Sequence, residues 1–278
     1  MNRGQVDNEI IFEPGFSTHV VSGVLTITFN RPEVGNALPS AAIPRLASIF
    51  TDIPTREDVR ALLILGEGAS FCVGGDVKGF ATTLDRSPAE RSADYFARMD
   101  LARVQMEAFI ALPCPIVVAC QGAVAGAAVS YPLGADIVLA EPNTRFVFPH
   151  QRLGLPPDGG LTVLLPRTVG VRKAAELVLT AATIDANEAL RLGIVSRIVA
   201  ADALRAEAIR TAGKIAAAPY GAVRRARALL KASPDRSVRE QLEAERDAVA
   251  DSVAEADFEE GVRAFIEKRR PRFPSTSG

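Results

Sequence analysis

Residues 115–128 read PIVVACQGAVAGAA, and the architecture turns on this stretch. Ile116 to Cys120 is a short run of branched and small apolar residues, as expected of a buried strand. After Gln121 nearly every residue is Gly, Ala or Val, so the backbone of this corner can approach another segment or a ligand closely. Upstream, residues 60–65 (RALLIL) form a second buried strand, and it too runs into a glycine-rich corner, GEGASFCVGGDVKGF over residues 66–80. Residues 20–29 alternate with β-branched side chains and predict one strand. Residues 41–52 suit a helix, another lies within residues 88–112, and short strands are expected at 137–140 and 145–148. Strands alternating with helices imply crossover units in a single α/β core.

From about residue 171 the composition shifts to Ala, Glu, Arg and Leu, which are good helix formers. Helices are expected over 173–179, 185–192, 202–216, 222–231, 238–250 and 253–268, with Asp185 and Asp202 at N-cap positions. The chain therefore divides into a core over residues 1–200 and a helical C-terminal region over residues 201–278. The first eight residues form a polar lead-in without an apolar core of signal-peptide length. The 278 residues carry a formal charge of -1 and are 48% hydrophobic. That balance gives no basic footprint for nucleic acid. The apolar region 115–139 is broken by glycines, a proline and Asp136, so no membrane span is expected, and the expected location is cytoplasmic. The three cysteines, Cys72, Cys114 and Cys120, make neither a disulfide framework nor a metal motif, and no metal is expected.

If the two glycine-rich corners meet, the backbone N–H groups of Val73 and Ala127 are candidates to stabilise a developing oxyanion. For the first corner, a plain strand-to-helix turn is the alternative reading.

The segments NRPEVGNAL (residues 30–38), GEGASFCVGGD (66–76), PIVVACQGAVAGAA (115–128), ADIVLAEPNTRFVFP (135–149), GLPPDGGLTVLLPRTVG (154–170) and LVLTAATIDANEALRLGIVSRIV (177–199) resemble successive blocks of the crotonase (enoyl-CoA hydratase/isomerase) superfamily. EGVRAFIEKRRPRF (260–273) is similar to that family's tail. The resemblance implies an α/β fold of repeated ββα units with a helical C-terminal trimerisation region, assembled as a homo-trimer or dimer of trimers. It implies an acyl-CoA substrate, with coenzyme A arriving as part of the thioester and no tightly bound cofactor. By the same resemblance Val73 and Ala127 hold the thioester oxygen, and Asn36, Ala37, Gly74, Asp76 and Lys78 lie where CoA is bound.

Family hydratases use two glutamates for the proton chemistry, and the matching positions here hold Ser130 and His150. His150 carries a group that exchanges protons near neutrality, and its alternative is a buried side chain bonded to backbone. Asp158 matches the aspartate of family isomerases and dehalogenases, where it shuttles a proton or acts as a nucleophile; its alternative is a helix cap. Ser130 is a candidate substrate contact without an adjacent base. Three functions stand open: enoyl-CoA isomerisation through Asp158, β-dicarbonyl or acyl-CoA hydrolysis through His150, and acyl-CoA binding with little catalysis.

Overall fold

The structure, a computed structural model, describes residues 9–276; the polar lead-in of residues 1–8 lies outside the described residues. The chain opens with β1 (Ile11–Glu13), β2 (Phe16–Val21) and β3 (Val24–Phe29), followed by α1 (Ala42–Asp52) and β4 (Ala61–Gly66). The single strand expected over residues 20–29 is corrected to a hairpin. Ser22 (φ 50°) and Gly23 (φ 79°) reverse the chain, and two consecutive positive-φ residues make the tight turn whose twist matches paired antiparallel strands. Next come α2 (Val77–Ala81), α3 (Pro88–Ile110), β5 (Ile116–Cys120), β6 (Ala123–Ala125), α4 (Ser130–Gly134), β7 (Ile137–Ala140) and β8 (Arg145–Val147). The start of α3 is written locally: Ser87 accepts from the Glu90 N–H, the Glu90 carboxylate accepts from the Ser87 N–H, and Pro88 fills the first helical position.

The remaining elements are α5 (Leu161–Val169), α6 (Val171–Leu179), β9 (Thr183–Asp185), α7 (Ala186–Arg191), β10 (Arg197–Ile198), α8 (Leu204–Ala216), α9 (Tyr220–Ala232), α10 (Val238–Val253) and α11 (Ala256–Ile266). One seven-stranded sheet has the order β1-β2-β3-β4-β5-β7-β10, and β6, β8 and β9 form a second, three-stranded sheet. From β3 onward the large sheet is parallel.

A ββα pattern repeats along the core. β5 runs in the large sheet, β6 in the small one, and α4 follows; β7, β8 and α5 do the same. In the two earlier units a single bridge stands where the second strand would be: Leu38 to Gly75 before α1, and Cys72 to Val124 before α2. On one face of the large sheet Phe16, Phe29, Phe50, Phe71, Phe109 and Phe146 are fully buried. Burial of each such side chain stabilises by about 1.5–3 kcal/mol.

The other face is covered by α8, whose Leu204, Ala208, Ala212 and Ala216 pack on Val24, Leu63, Val117 and Leu139. The small side chains recur every fourth residue and let the helix lie close to the strands. The division expected at residue 200 is thus not a break in packing, because α8 is a layer of the core. Asp185 caps α7, accepting from the Glu188 N–H at 2.9 Å. Asp202 does not cap α8, whose N-cap is Ala203 with no side-chain bond.

The final helices attach through a few polar contacts. Arg227 of α9 is buried, donates to Asp136 Oδ2 at 2.7 Å and to the Leu112 carbonyl, while Lys231 Nζ donates to Gly134 O at 3.0 Å. Burial, reinforced by the Arg227 charge, lowers the Lys231 pKa. The tail docks by Asp257 accepting from the Ser275 N–H at 3.0 Å and by Arg60, at the start of β4, donating to the Ser275 carbonyl at 2.8 Å. α10 and α11 leave Val238, Val249, Phe265 and Ile266 exposed. Among the described residues no helix is long and apolar enough to cross a membrane.

Replacing Asp136 with alanine strands the Arg227 guanidinium in the interior. The expected loss of unfolding free energy is about 3 kcal/mol, measured by urea denaturation, because the remaining charge keeps its desolvation cost without its counter-charge.

Candidate active site

The two glycine-rich corners meet at the carboxyl ends of β4 and β5, where ligands settle in open parallel sheets. Their backbones are interlaced. Phe71 N–H donates to Gln121 O at 2.8 Å, Cys72 N–H to Ala123 O at 3.2 Å, and Ala125 N–H to Cys72 O at 3.0 Å. The Gln121 side chain closes the turn from the other side, donating to Gly66 O at 2.7 Å. Gly122 (φ +51°) lies so close to the first corner that a Cβ there would sit 1.8 Å from Ala69 O. Gly74 (φ +94°) makes the reciprocal approach, its hypothetical Cβ falling 2.9 Å from Ala125 O and 3.6 Å from Ala127 N.

The condition set for a shared oxyanion site, that both corners converge, is therefore met, but the two amides differ. Val73 N–H already donates to Gly35 O at 3.0 Å. Ala127 N–H has no protein acceptor among the described residues.

Beside these amides opens a cavity of about 440 Å³, of the size that holds a small organic ligand. Val73, Gly74, Asp76, Ala127, His150 and Asp158 all line it. His150 stands in the short 3-10 turn after β8, and Asp158 in the loop leading to α5. His150 Nε2 and Asp158 Oδ1 are 3.5 Å apart. The imidazole is 8% exposed and neither ring nitrogen has a hydrogen-bond partner, so the alternative of a histidine held by backbone bonds does not apply. Nor does Asp158 cap α5, whose N-cap is Gly160 without a side-chain bond. A methyl group added at Gly126 would lie 4.0 Å from His150 Nε2 and 3.9 Å from Val73 O. His150 and Asp158 thus share one cavity with the two corners.

Other expected residues fall outside the cavity lining. Ser130 is fully buried, its hydroxyl has no partner, and it is not in the wall, which removes the basis for a direct substrate contact. Asn36 is also fully buried. Its amide donates to the carbonyls of Glu67, Ser70 and Phe71 at 2.8, 2.7 and 3.1 Å, and its Oδ1 accepts from Arg31 N–H at 2.8 Å. Asn36 accordingly shapes the first corner and has no side-chain donor left for CoA. Ala37 is buried beside it, and Lys78 is exposed on α2 outside the lining. The Cys72 thiol donates to Asn36 O at 3.1 Å, and burial pushes its pKa up to about 12, so it is a packing group.

Sequence reading passed over α3 as a source of site residues. Tyr95, Arg98, Ala102, Gln105 and Met106 form one wall of the cavity. The available signal was Gln105, a polar residue on the helical stripe that otherwise turns apolar side chains inward.

A methyl group at Gly122 has no space, and the obstacle is backbone. Gly122→Ala is expected to force the corners apart, lowering the melting temperature by several degrees and weakening acyl-thioester binding in a titration of the same protein.

Residues 19–276 match the sequence model of the enoyl-CoA hydratase/isomerase family. The chain is 32% identical over 258 residues to the 1,2-epoxyphenylacetyl-CoA isomerase of Escherichia coli K12, spanning 92% of this chain and 97% of that one. It is 31% identical over 259 residues to the trans-2-decenoyl-[acyl-carrier-protein] isomerase of Streptococcus mutans, covering 92% and 96%. The crystal structure of an enoyl-CoA hydratase from Bacillus anthracis superposes with a TM-score of 0.85 at 29% identity, over 94% of this chain and 99% of that one. With its ββα core, its interlaced corners and this likeness along nearly its whole length, the chain belongs to the enoyl-CoA hydratase/isomerase family.

Proposed function

We propose that the protein moves a double bond within an enoyl thioester of coenzyme A, with Asp158 as the proton carrier. The observation that carries this reading is the placement of the Asp158 carboxylate on the wall of the cavity that Ala127 also lines, with the next residue, Gly159, so close to Ala127 that a Cβ there would lie 3.2 Å from the alanine Cβ. Isomerisation needs a base that removes a proton next to the thioester or its vinylogous position and returns it elsewhere, and a single carboxylate can do both. Hydration by the two-glutamate route needs a second carboxylate on water, and the matching positions are Ser130 and His150. Charge that accumulates on the thioester oxygen during proton removal is met by the Ala127 N–H, with Val73 as a second donor shared with Gly35. Each such donor supplies roughly 10²–10³ in rate when the site is dry. Gly74 and Asp76 flank the thioester in this reading. Two relatives named as isomerases, of an epoxyphenylacetyl-CoA and of a decenoyl-[acyl-carrier-protein], point the same way.

A second reading has its own support. His150 has both ring nitrogens free of hydrogen bonds and a carboxylate 3.5 Å from Nε2, an arrangement suited to activating water for cleavage of a β-dicarbonyl or an acyl thioester. The two are separated in deuterium oxide, using saturated, 2-enoyl- and 3-enoyl-CoA esters and mass spectrometry. Isomerisation predicts double-bond migration with deuterium exchange, reduced by about 10²–10⁴ in Asp158→Asn. Water addition or acyl cleavage lost in His150→Ala would transfer the function to the histidine. Binding without exchange or product would leave an acyl-CoA binding protein.

Assembly follows from the same family reading. The exposed Val238, Val249, Phe265 and Ile266 on α10 and α11 are the surface we assign to subunit contact. Light scattering is expected to give the mass of a trimer or of two trimers, and a monomer would remove that assignment.

A further inference from the structure

We propose that Gln105 is a specificity residue and that the cavity takes an oxygen-bearing acyl group in preference to a bare hydrocarbon chain. The proposal deepens the acyl-thioester reading and rests on it.

The α3 wall of the cavity is graded. Near its outer end Tyr95 and Arg98 are partly exposed, while Gln105 and Met106 are 2% and 5% exposed. From Arg98 to Gln105 is seven residues of helix, a descent of about 10 Å. The outer polar groups are engaged: Arg98 pairs with Asp94 at 2.8 Å and lies over the Tyr95 ring. Gln105 is not comparably engaged. Its primary amide has two donors and two acceptor sites, yet it makes a single long hydrogen bond, Nε2 to Tyr131 Oη at 3.4 Å. That bond is the one its side chain makes among the described residues, and Gln105 stands on the cavity wall. An apolar wall with one buried, under-bonded amide fits poorly around a hydrocarbon, because a hydrocarbon seals that amide away from every partner. A hydroxyl, ether or carbonyl oxygen on the ligand satisfies it, since the amide both donates and accepts.

Tyr131 follows Ala127 by four residues on a continuous helical segment, so the two backbones stand about one turn apart along it. The Tyr131 ring is fixed against Phe29 and Phe109 at centroid distances of 5.4 Å, so the pair is presented rigidly.

Calorimetric titration of the protein with hexanoyl-CoA and a set of hydroxy- and oxohexanoyl-CoA esters tests this, using only those esters that mass spectrometry finds intact at the end of the titration. The wild type is expected to bind the best oxygenated ester roughly tenfold more tightly than hexanoyl-CoA. In Gln105→Met, of similar length and apolar, the ratio is expected to fall to about one with hexanoyl-CoA binding retained or improved. A wild type that binds hexanoyl-CoA as tightly as every oxygenated ester overturns the proposal whatever the variant does, as does a folded Gln105→Met that keeps the preference. If no ester of either kind binds, the acyl-CoA reading fails and this inference fails with it. Equal binding of all the esters removes Gln105 alone.

Discussion

The structure depends on two backbone segments touching where neither leaves room for a side chain. At Gly122 the second corner rests on the Ala69 carbonyl, and at Gly74 the first corner rests on the Ala125 carbonyl. Once these contacts are made, the Phe71 and Cys72 amides bond the Gln121 and Ala123 carbonyls, and the Ala125 amide bonds the Cys72 carbonyl, as in a sheet. The amide of Ala127 is then left over at the rim without an acceptor. In the proposed reading, such a free donor receives negative charge without reorganisation when the charge appears. Asn36 holds the outer strand of this assembly by bonding three carbonyls at once.

The same economy of partners marks the acid–base pair. The His150 imidazole is buried and makes no hydrogen bond, and Asp158 is released from capping because a glycine begins α5. Most buried polar groups in a folded chain are satisfied. Here both ring nitrogens of His150, on the cavity wall, are not, and a ligand in the cavity could supply what they lack.

The buried strands β4, β5 and β7 and the helices α1 and α3 were legible in residues 60–65, 116–120, 137–140, 41–52 and 88–112, because each carries its own periodicity and, for α3, its own cap. The family was legible from the order of its blocks. What escaped was set by contacts between distant segments. The small-sheet strands β6 and β9 are three residues each and carry no alternation of their own. The Ser22–Gly23 reversal was hidden within an unbroken apolar pattern. Asp202 looked like a cap, yet α8 starts where its alanines meet the sheet. Asn36 and Ser130 lay in the right blocks, but their burial is a property of three dimensions. Asp158 and His150 were each singled out, whereas their separation of 3.5 Å was not readable from the seven residues between them.

The Ala127 amide belongs to the main chain, and its direction is set by neighbouring glycines and carbonyls rather than by its own side chain. His150, Asp158 and Gln105 come from three separate segments, none of which builds the corner. In the proposed reading, the charge-stabilising amide and the side chains that select the reaction can therefore vary independently. Single substitutions at the second would then redirect chemistry while the first stays intact, which makes this scaffold a favourable starting point for laboratory evolution of new thioester reactions.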